Sequence, residues 1–353
     1  MSIDNSQKPI ILHIGDPVRY NKELYDSLRQ NFTIIRPSVE ERQRDSFLAA
    51  LRAKKWGDFS AVMRPFWSTG GEMGRWDKEL IPLLPASLKV YASAGAGYDW
   101  ADVDLMAKAG ILYCNGASAS SEAVADMAIY HIISVFRNMQ WSNMAARSLD
   151  VSSFLDAHHN IPPVSRNPQG HILGIIGLGN IGYRIATKAH KALDMRIVYF
   201  DPYPKPAAME AAIDAKRMPS LDILLAEADC VLLAAPGTGG KILDAANIAK
   251  IKKGARIVNI ARGNLIDEDA LVEAVMSGHV SAVGLDVHEN EPNVNARLAS
   301  LRSATLTCHT AGGALETNIG FERLSMENVR NVLTGQPPLT PVNKHLFKPP
   351  NVA

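Results

Sequence analysis

Short apolar runs alternate with longer stretches in which apolar residues recur at helical spacing, almost throughout the chain. In the first third the runs are Ile10–Ile14, Phe32–Ile35, Ser60–Met63, Leu88–Ser93 and Ile111–Cys114. Each has the length and composition of a buried strand. Tyr20–Gln30, Glu40–Ala53, Lys78–Leu84 and Asp102–Ala109 are predicted as the helices between them. Ser121–Arg137 reads as a long apolar helix with few wet faces, expected to lie buried between domains. Met144–Pro163, rich in His, Asn and Pro, reads as irregular. A second series then predicts six parallel strands at Ile172–Ile176, Ile197–Phe200, Cys230–Ala234, Arg256–Ile260, Ala282–Leu285 and Thr305–Cys308. A last helix is predicted over about Glu316–Thr334, and the Pro-rich tail from Pro337 as a surface strap. Alternation of this kind specifies an α/β fold class with two doubly wound parallel-sheet domains.

The second series opens on Gly174-Ile-Ile-Gly177-Leu-Gly179-Asn180-Ile181-Gly182, between an apolar run and a helix-compatible stretch, and nineteen residues beyond Gly182 stands Asp201. This is the dinucleotide-binding βαβ pattern. Gly177 permits the tight turn, Gly179 lets backbone N–H groups approach a pyrophosphate, and Gly182 lets the helix pack on its strand. The helix N-terminus supplies partial positive charge. Asp201 is expected to accept hydrogen bonds from the adenosine ribose and to repel a 2′-phosphate, favouring NAD over NADP.

Composition narrows the field. A chain of 353 residues exceeds one ordinary core, and two domains follow. An apolar fraction of 47%, a charged fraction of 21% and a formal net charge of +1 describe a globular protein with no basic block for nucleic acid or an anionic membrane. Met1–Lys8 lacks the apolar core of a signal peptide, and no apolar run is long enough to span a bilayer. Cys114, Cys230 and Cys308 show no metal-type spacing, which points to reduced thiols and a cytoplasmic protein. His158 and His159 have no Cys or acid at ligand spacing, so no metal is expected.

In parallel sheets of this kind ligands bind beyond the carboxyl ends of the strands. Arg262, in Asn-Ile-Ala-Arg-Gly, follows a predicted strand, and its fork of donors suits a substrate carboxylate; a surface ion pair is the other use of such a residue. His309 also follows a strand and suits proton transfer to a carbonyl oxygen, or simply packing. Glu291 lies in a loop with two other acids, where it could tune an imidazole or merely be solvated. Phe66 and Trp67, after the third strand, could form an apolar wall for an aromatic or branched substrate, or pack at a domain junction; Arg64 beside them could select a small or acidic one.

The segments Ala94-Gly-Ala-Gly-Tyr-Asp99, Leu173–Gly182, Asn259-Ile-Ala-Arg-Gly263, Gly284-Leu-Asp-Val287 through Glu291-Pro292, and His309 with its trailing small residues resemble the D-isomer-specific 2-hydroxyacid dehydrogenases, in that family's order from about residue 90 to 320. Ile14-Gly-Asp-Pro17 and the stretches around Tyr98 and His288 are most similar to the fungal D-mandelate dehydrogenase-like branch. The resemblance implies a flavodoxin-like substrate domain over residues 1–117, completed by 313–353, and a Rossmann NAD domain over 118–312, with the active site in the cleft between them. It implies an NAD(H)-dependent oxidoreductase acting on D-2-hydroxy and 2-oxo acids such as phenylglyoxylate, glyoxylate, hydroxypyruvate or a branched-chain 2-oxo acid. Arg262 would hold the carboxylate, His309 would exchange the proton and Glu291 would orient and charge the histidine. Ala96 and Gly97 would add N–H donors to the carboxylate, and Asp286 would hydrogen-bond the nicotinamide carboxamide. Ala235, Pro236, Ala261 and Gly312 would line the cofactor. His288, where an aromatic is usual, is expected to be structural. A homodimer is implied, with Ser121–Arg137 as a contributor. An NAD-sensing corepressor on the same fold is the alternative reading; formate dehydrogenase is disfavoured because the acid partner of the histidine is retained.

Overall fold

The computed structural model describes residues 8–347, and the chain divides into two compact units. The first comprises residues up to Ser120 together with those from Ala314, and the second runs from Ser121 to Gly313.

The first unit is built on β1 (Ile10–His13), β2 (Thr33–Ile35), β3 (Ala61–Arg64), β4 (Val90–Ser93) and β5 (Leu112–Cys114), all parallel, in the order β2-β1-β3-β4-β5. The alternation along each strand sends neighbours to opposite faces, and both faces are covered. Leu12, Val62, Tyr91 and Tyr113 pack with Phe47, Trp56 and Trp76 on one side. Ile11, Met63, Val90 and Ala92 pack on the other with Leu28, Met326 and Val329. Met326 and Val329 come from the helix Leu315–Leu333, so the unit is completed by residues some 200 positions downstream. Its buried Glu322 accepts the N–H groups of Arg19 (2.6 Å), Tyr20 and Asn21 (both 2.9 Å). The Pro-rich tail is more than a strap: it covers the β5 edge. Pro341 bridges Cys114 in antiparallel sense, and the buried Asn343 accepts from Tyr113 N–H and donates to the carbonyls of Val103 and Ile111. The helix expected at Lys78–Leu84 is only a 3-10 turn at Ile81–Leu83, because Pro82 supplies no N–H and Pro85 pushes Leu84 out of helical geometry.

The second unit contains β6 (Ile172–Ile176), β7 (Arg196–Phe200), β8 (Lys216–Arg217), β9 (Cys230–Leu233), β10 (Ala255–Asn259), β11 (Val280–Leu285) and β12 (Ala304–Leu306). They are parallel and ordered β12-β11-β10-β9-β6-β7-β8. Seven strands stand where six were predicted. The extra one, β8, is two exposed polar residues paired with Val198 and Tyr199. An edge strand of that length needs only backbone pairing and leaves no apolar run to read. The order reverses at β6, flanked by β7 and β9, which opens a crevice at its carboxyl end.

The long helix runs from Ala117 to Arg137, and Val124, Ala125, Ala128, Ile132, Val135 and Phe136 are buried in the core of the second unit beside Leu173 and Ile175. Its apolar face therefore covers the second sheet. The segment read as irregular is helical, over Met139–Arg147 and Val151–Val164. Asn138 and Leu149 take positive φ (52° and 57°) at the two bends, and Asp150 caps the second helix by accepting from Ser153 N–H. Pro162 and Pro163 fall in its last turn, where each removes an intrahelical N–H donor, and the helix ends at Val164.

Candidate active site

After β6 the chain turns through Gly177–Gly179 into the helix Asn180–Leu193. Gly177 has φ +93°, and a Cβ there would lie 2.9 Å from the Ala234 carbonyl oxygen and 3.0 Å from Ala235 Cα. A Cβ on Gly182 would collide with the carbonyl of Gly177. Gly179 is the opposite case: a Cβ there would meet nothing within 4 Å. Two of the three glycines thus hold strand, turn and helix together. The third leaves room at the helix N-terminus, where a dinucleotide pyrophosphate fits. Asn180 is exposed and Ile181 half-buried in the first helical turn.

Asp201 follows β7 directly and is nearly buried. Its Oδ2 accepts from Leu178 N–H (3.0 Å) and pairs with Lys205 Nζ (3.0 Å), while Oδ1 accepts from Tyr203 N–H (2.9 Å). Burial raises its pKa, but the Tyr203 and Leu178 N–H groups and the Lys205 ammonium outweigh it, and the carboxyl sits below its ordinary value. It is an ionised acceptor at the ribose end of the expected cofactor path.

The remaining site residues sit at the carboxyl ends of β9, β10, β11 and β12. After β9 come Ala235, half-buried, and Pro236, exposed. Gly237 follows, and a Cβ on it would press on Arg262 at 2.7 Å. After β10 the buried Asn259 shapes the turn, its side chain accepting from Ala261 N–H (3.0 Å) and donating to the Arg262 carbonyl (2.8 Å). Arg262 Nη1 donates to the Ala261 carbonyl (2.7 Å). A Cβ on Gly263 would overlap the His288 carbonyl, so only glycine lets the Arg262 turn lie against the loop that carries Glu291.

That loop and the one after β12 meet. His309 Nδ1 lies 2.8 Å from Glu291 Oε2, and Glu291 Oε1 accepts from His288 N–H (2.9 Å). The carboxylate is thus fixed by a backbone donor on one oxygen and faces the imidazole with the other. The pair is half-exposed, so the imidazole stays open to solvent and ligand. His309 has positive φ (53°), a conformation that costs a non-glycine residue about 1 kcal/mol or more. Asp286 holds it there. The His309 N–H donates to the Asp286 carbonyl (2.7 Å), and the Asp286 carboxylate accepts from Thr310 N–H (2.9 Å) and Ala311 N–H (2.8 Å). Asp286 is 0% exposed; within the chain its carboxylate pins the His309 loop. Gly312 lies in the turn that follows, closed by Gly313 N–H to the Thr310 carbonyl.

Behind this loop runs a buried chain of polar groups. Thr307 Oγ1 donates to Asp286 Oδ1 (2.6 Å) and lies 3.0 Å from His131 Nε2 on the long helix. A carboxylate only accepts, so the single hydroxyl proton points to Asp286 and His131 must donate through Nε2. His131 Nδ1 is then a bare lone pair, and it has no partner among the described residues. Burial pushes the His131 pKa down to about 4, with Asp286 pulling it upward and His288 lowering it further. Gly284, in β11, is glycine because the imidazole crosses it: a Cβ would lie 2.9 Å from His131 Nδ1 and 3.1 Å from its Cβ. His288, the departure from the family pattern, is buried with Nε2 2.9 Å from the Thr307 carbonyl, a structural placement.

In the first unit Phe66 is 7% exposed, with the Arg19 guanidinium 5.2 Å from its ring centre, while Trp67 is 49% exposed. Arg64 donates to the carbonyls of Thr69 (2.8 Å) and Trp67 (2.6 Å) and stacks over Trp100 (5.1 Å), so it shapes the loop that bears both aromatics. Ala96 and Gly97 follow Gly95 (φ +86°), whose carbonyl accepts from Gly116 N–H, and the Ala96 carbonyl accepts from Asn115 Nδ2.

The structure therefore brings Glu291 and His309 into contact and lays the Arg262 turn against the Glu291 loop. Sequence reasoning passed over Asn259, Gly237, Thr307, His131 and Lys205. Asn259 opens the very motif that carries Arg262, and Gly237 lies in a glycine-rich run, so both left a signal; the others are partners in space only. Among the described residues no group of three or more metal-ligating side chains occurs, and no helix is long and apolar enough to cross a membrane.

Comparison with known proteins identifies the family. The family profile described as D-isomer specific 2-hydroxyacid dehydrogenase, NAD binding domain, matches residues 129–311. The apo and holo forms of D-mandelate dehydrogenase from Rhodotorula graminis are 42% and 41% identical to this chain, with TM-scores of 0.90 and 0.91. They cover 97% and 98% of it over their whole length. A glyoxylate reductase from Paecilomyes thermophila is 34% identical, with a TM-score of 0.85, over 96% of this chain and 99% of its own. The 4-methyl-2-oxopentanoate reductase A of Aspergillus oryzae is 33% identical over 343 residues, 96% of this chain and 100% of the relative. With more than half of its residues under one profile and such relatives along its length, the chain belongs to the D-isomer specific 2-hydroxyacid dehydrogenases, oxidoreductases that bind NAD.

Proposed function

We propose that the protein reduces 2-oxo acids bearing an aromatic or branched side chain to the D-2-hydroxy acids, with NADH as the reductant, and catalyses the reverse oxidation. The observation that carries this is the 2.8 Å contact of His309 with Glu291, on a loop that Asp286 pins. Bound NADH supplies the hydride. The chain's residues do the rest. Arg262 holds the substrate carboxylate through its planar fork and polarises the carbonyl. Ala96 and Gly97 add backbone donors to that carboxylate. His309 donates a proton to the carbonyl oxygen in reduction and accepts it in oxidation, and Glu291 favours the charged imidazole and fixes its tautomer. Phe66 and Trp67 provide the apolar wall, and Gly177, Gly179, Asn180, Ile181, Gly182, Asp201, Ala235, Pro236, Ala261 and Gly312 serve the cofactor; Asp286, fully buried, does not reach the carboxamide expected of it and acts by pinning the His309 loop. The substrate class is supported by relatives named for mandelate and 4-methyl-2-oxopentanoate.

The test follows NADH absorbance with phenylglyoxylate, 4-methyl-2-oxopentanoate, hydroxypyruvate and glyoxylate. The first two should give the highest kcat/KM; preference for glyoxylate would overturn the assignment of an apolar wall.

The reading includes a cytoplasmic homodimer. Met139, Met144, Leu149, Phe154 and Leu155, all large, apolar and exposed, lie on or between the helices Met139–Arg147 and Val151–Val164. Such a patch suits a second copy. Sedimentation equilibrium should give twice the chain mass, falling to a monomer in F154D/L155D.

A further inference from the structure

The ribose end of the cofactor site carries more positive charge than its acid alone suggests. Asp201 is ion-paired to Lys205, whose ammonium is 3.0 Å away and whose side chain is 19% exposed. Lys205 is not a loose surface residue. Its backbone N–H donates to the Tyr199 hydroxyl (3.3 Å), which itself donates to Glu210. Arg217, on β8, donates to the carbonyl of Asp201 (2.9 Å) and to that of Pro202 (3.2 Å). The turn after β7 is therefore held in one shape, its carboxylate paired to Lys205 and its backbone carbonyls held by Arg217. An acid at this place opposes a 2′-phosphate by charge; a lysine paired to it cancels much of that opposition and is itself a phosphate donor.

We propose that Lys205 sets how far the site discriminates NADH from NADPH: paired with Asp201 it screens the carboxylate, and with NADPH it turns to the 2′-phosphate, so that NADPH is a usable second ligand. The inference rests on the assignment of Asp201 to the adenosine ribose. Lys205 makes little difference to NADH, which offers only hydroxyl groups there.

The experiment is equilibrium titration of the full chain with NADH and with NADPH, read by calorimetry, for wild type, K205A and K205R. Wild type should bind both, NADPH the more weakly. K205A should weaken NADPH about tenfold or more while changing NADH less than about threefold, and K205R should restore NADPH, because a charge-assisted contact to phosphate is worth at least that factor. The retained NADH affinity reports that K205A is folded. Equal losses for both ligands, an unchanged ratio, or no NADPH binding by wild type would overturn the proposal. Failure of wild type to bind NADH would instead remove the assignment of the dinucleotide site on which it rests.

Discussion

Replacing Thr307 by Val keeps the side-chain shape and removes one hydroxyl. That hydroxyl is the middle of the buried chain from His131 to Asp286, giving its proton to the carboxylate at 2.6 Å and accepting from the imidazole at 3.0 Å. Loss of a hydrogen bond to an ionised group costs about 1.5–3 kcal/mol. The orphaned His131 Nε2–H adds about 1–3 kcal/mol, since Nδ1 has no partner either among the described residues. No cavity forms, so the expected loss is about 2.5–6 kcal/mol. T307S keeps the hydroxyl and gives up one buried methyl, at a cost of about 1 kcal/mol. Amide hydrogen exchange by mass spectrometry reads the difference strand by strand. In T307V, peptides covering β11 and β12 should exchange about a hundredfold or more faster than in wild type, while β3 in the other unit serves as an unchanged internal reference. T307V matching T307S, or both units loosening alike, would refute the idea that this hydroxyl anchors Asp286 and through it the His309 loop.

Four further outcomes follow from the same geometry. H309A should lower kcat for 2-oxo acid reduction by about 10²–10⁴-fold with NADH affinity unchanged, as calorimetry will show; an active H309A would remove the proton-donor role. E291Q keeps the size and polarity of the side chain but not its charge, and should depress kcat in both directions with KM little altered, by steady-state kinetics. G284A should cost about 1–3 kcal/mol in urea unfolding, because its Cβ would press on His131, and less in the H131A background, where the cost is relieved. Acid should destabilise the fold through His13 and His131, both lowered from 6.5 to about 4, first of all by burial. The unfolded chain takes up these protons near pH 6.5 and the folded chain only near 4. The stability they confer is whole above about 6.5 and is lost as pH falls toward 4, up to about 3 kcal/mol for each group. A denaturation midpoint unchanged between pH 7 and 5 would contradict that.

Most of the framework can be read along the chain because each strand buried on both faces must be apolar at nearly every position, as in Ile11-Leu12 or Cys230-Val-Leu-Leu233. Where burial is not the cause of structure, periodicity is silent. The two residues of β8 are held by backbone pairing and by polar contacts of Arg217, not by an apolar side chain, and the helices over Met139–Val164 keep exposed apolar residues that blur their faces. The loops of Arg262, Glu291 and His309 stood out through their resemblance to the family's motifs, since each residue alone also suited a bland role. Their supports were not. His131 and Gly284 stand 153 positions apart, and nothing local in either marks that the imidazole occupies the space a Cβ would take. Lys205 reads as an ordinary loop lysine until Asp201 is found beside it.

Glu322 has a consequence for the order in which the protein is made. The backbone amides it accepts from belong to residues 19–21, which leave the ribosome before the second unit is made, while the acid itself emerges only after all of Ser121–Gly313. During synthesis the dinucleotide unit can close first, and the opening hundred residues must wait with one sheet face bare of Met326 and Val329. The half of the protein that starts first finishes last, and that interval is when a chaperone or an aggregating neighbour would find it.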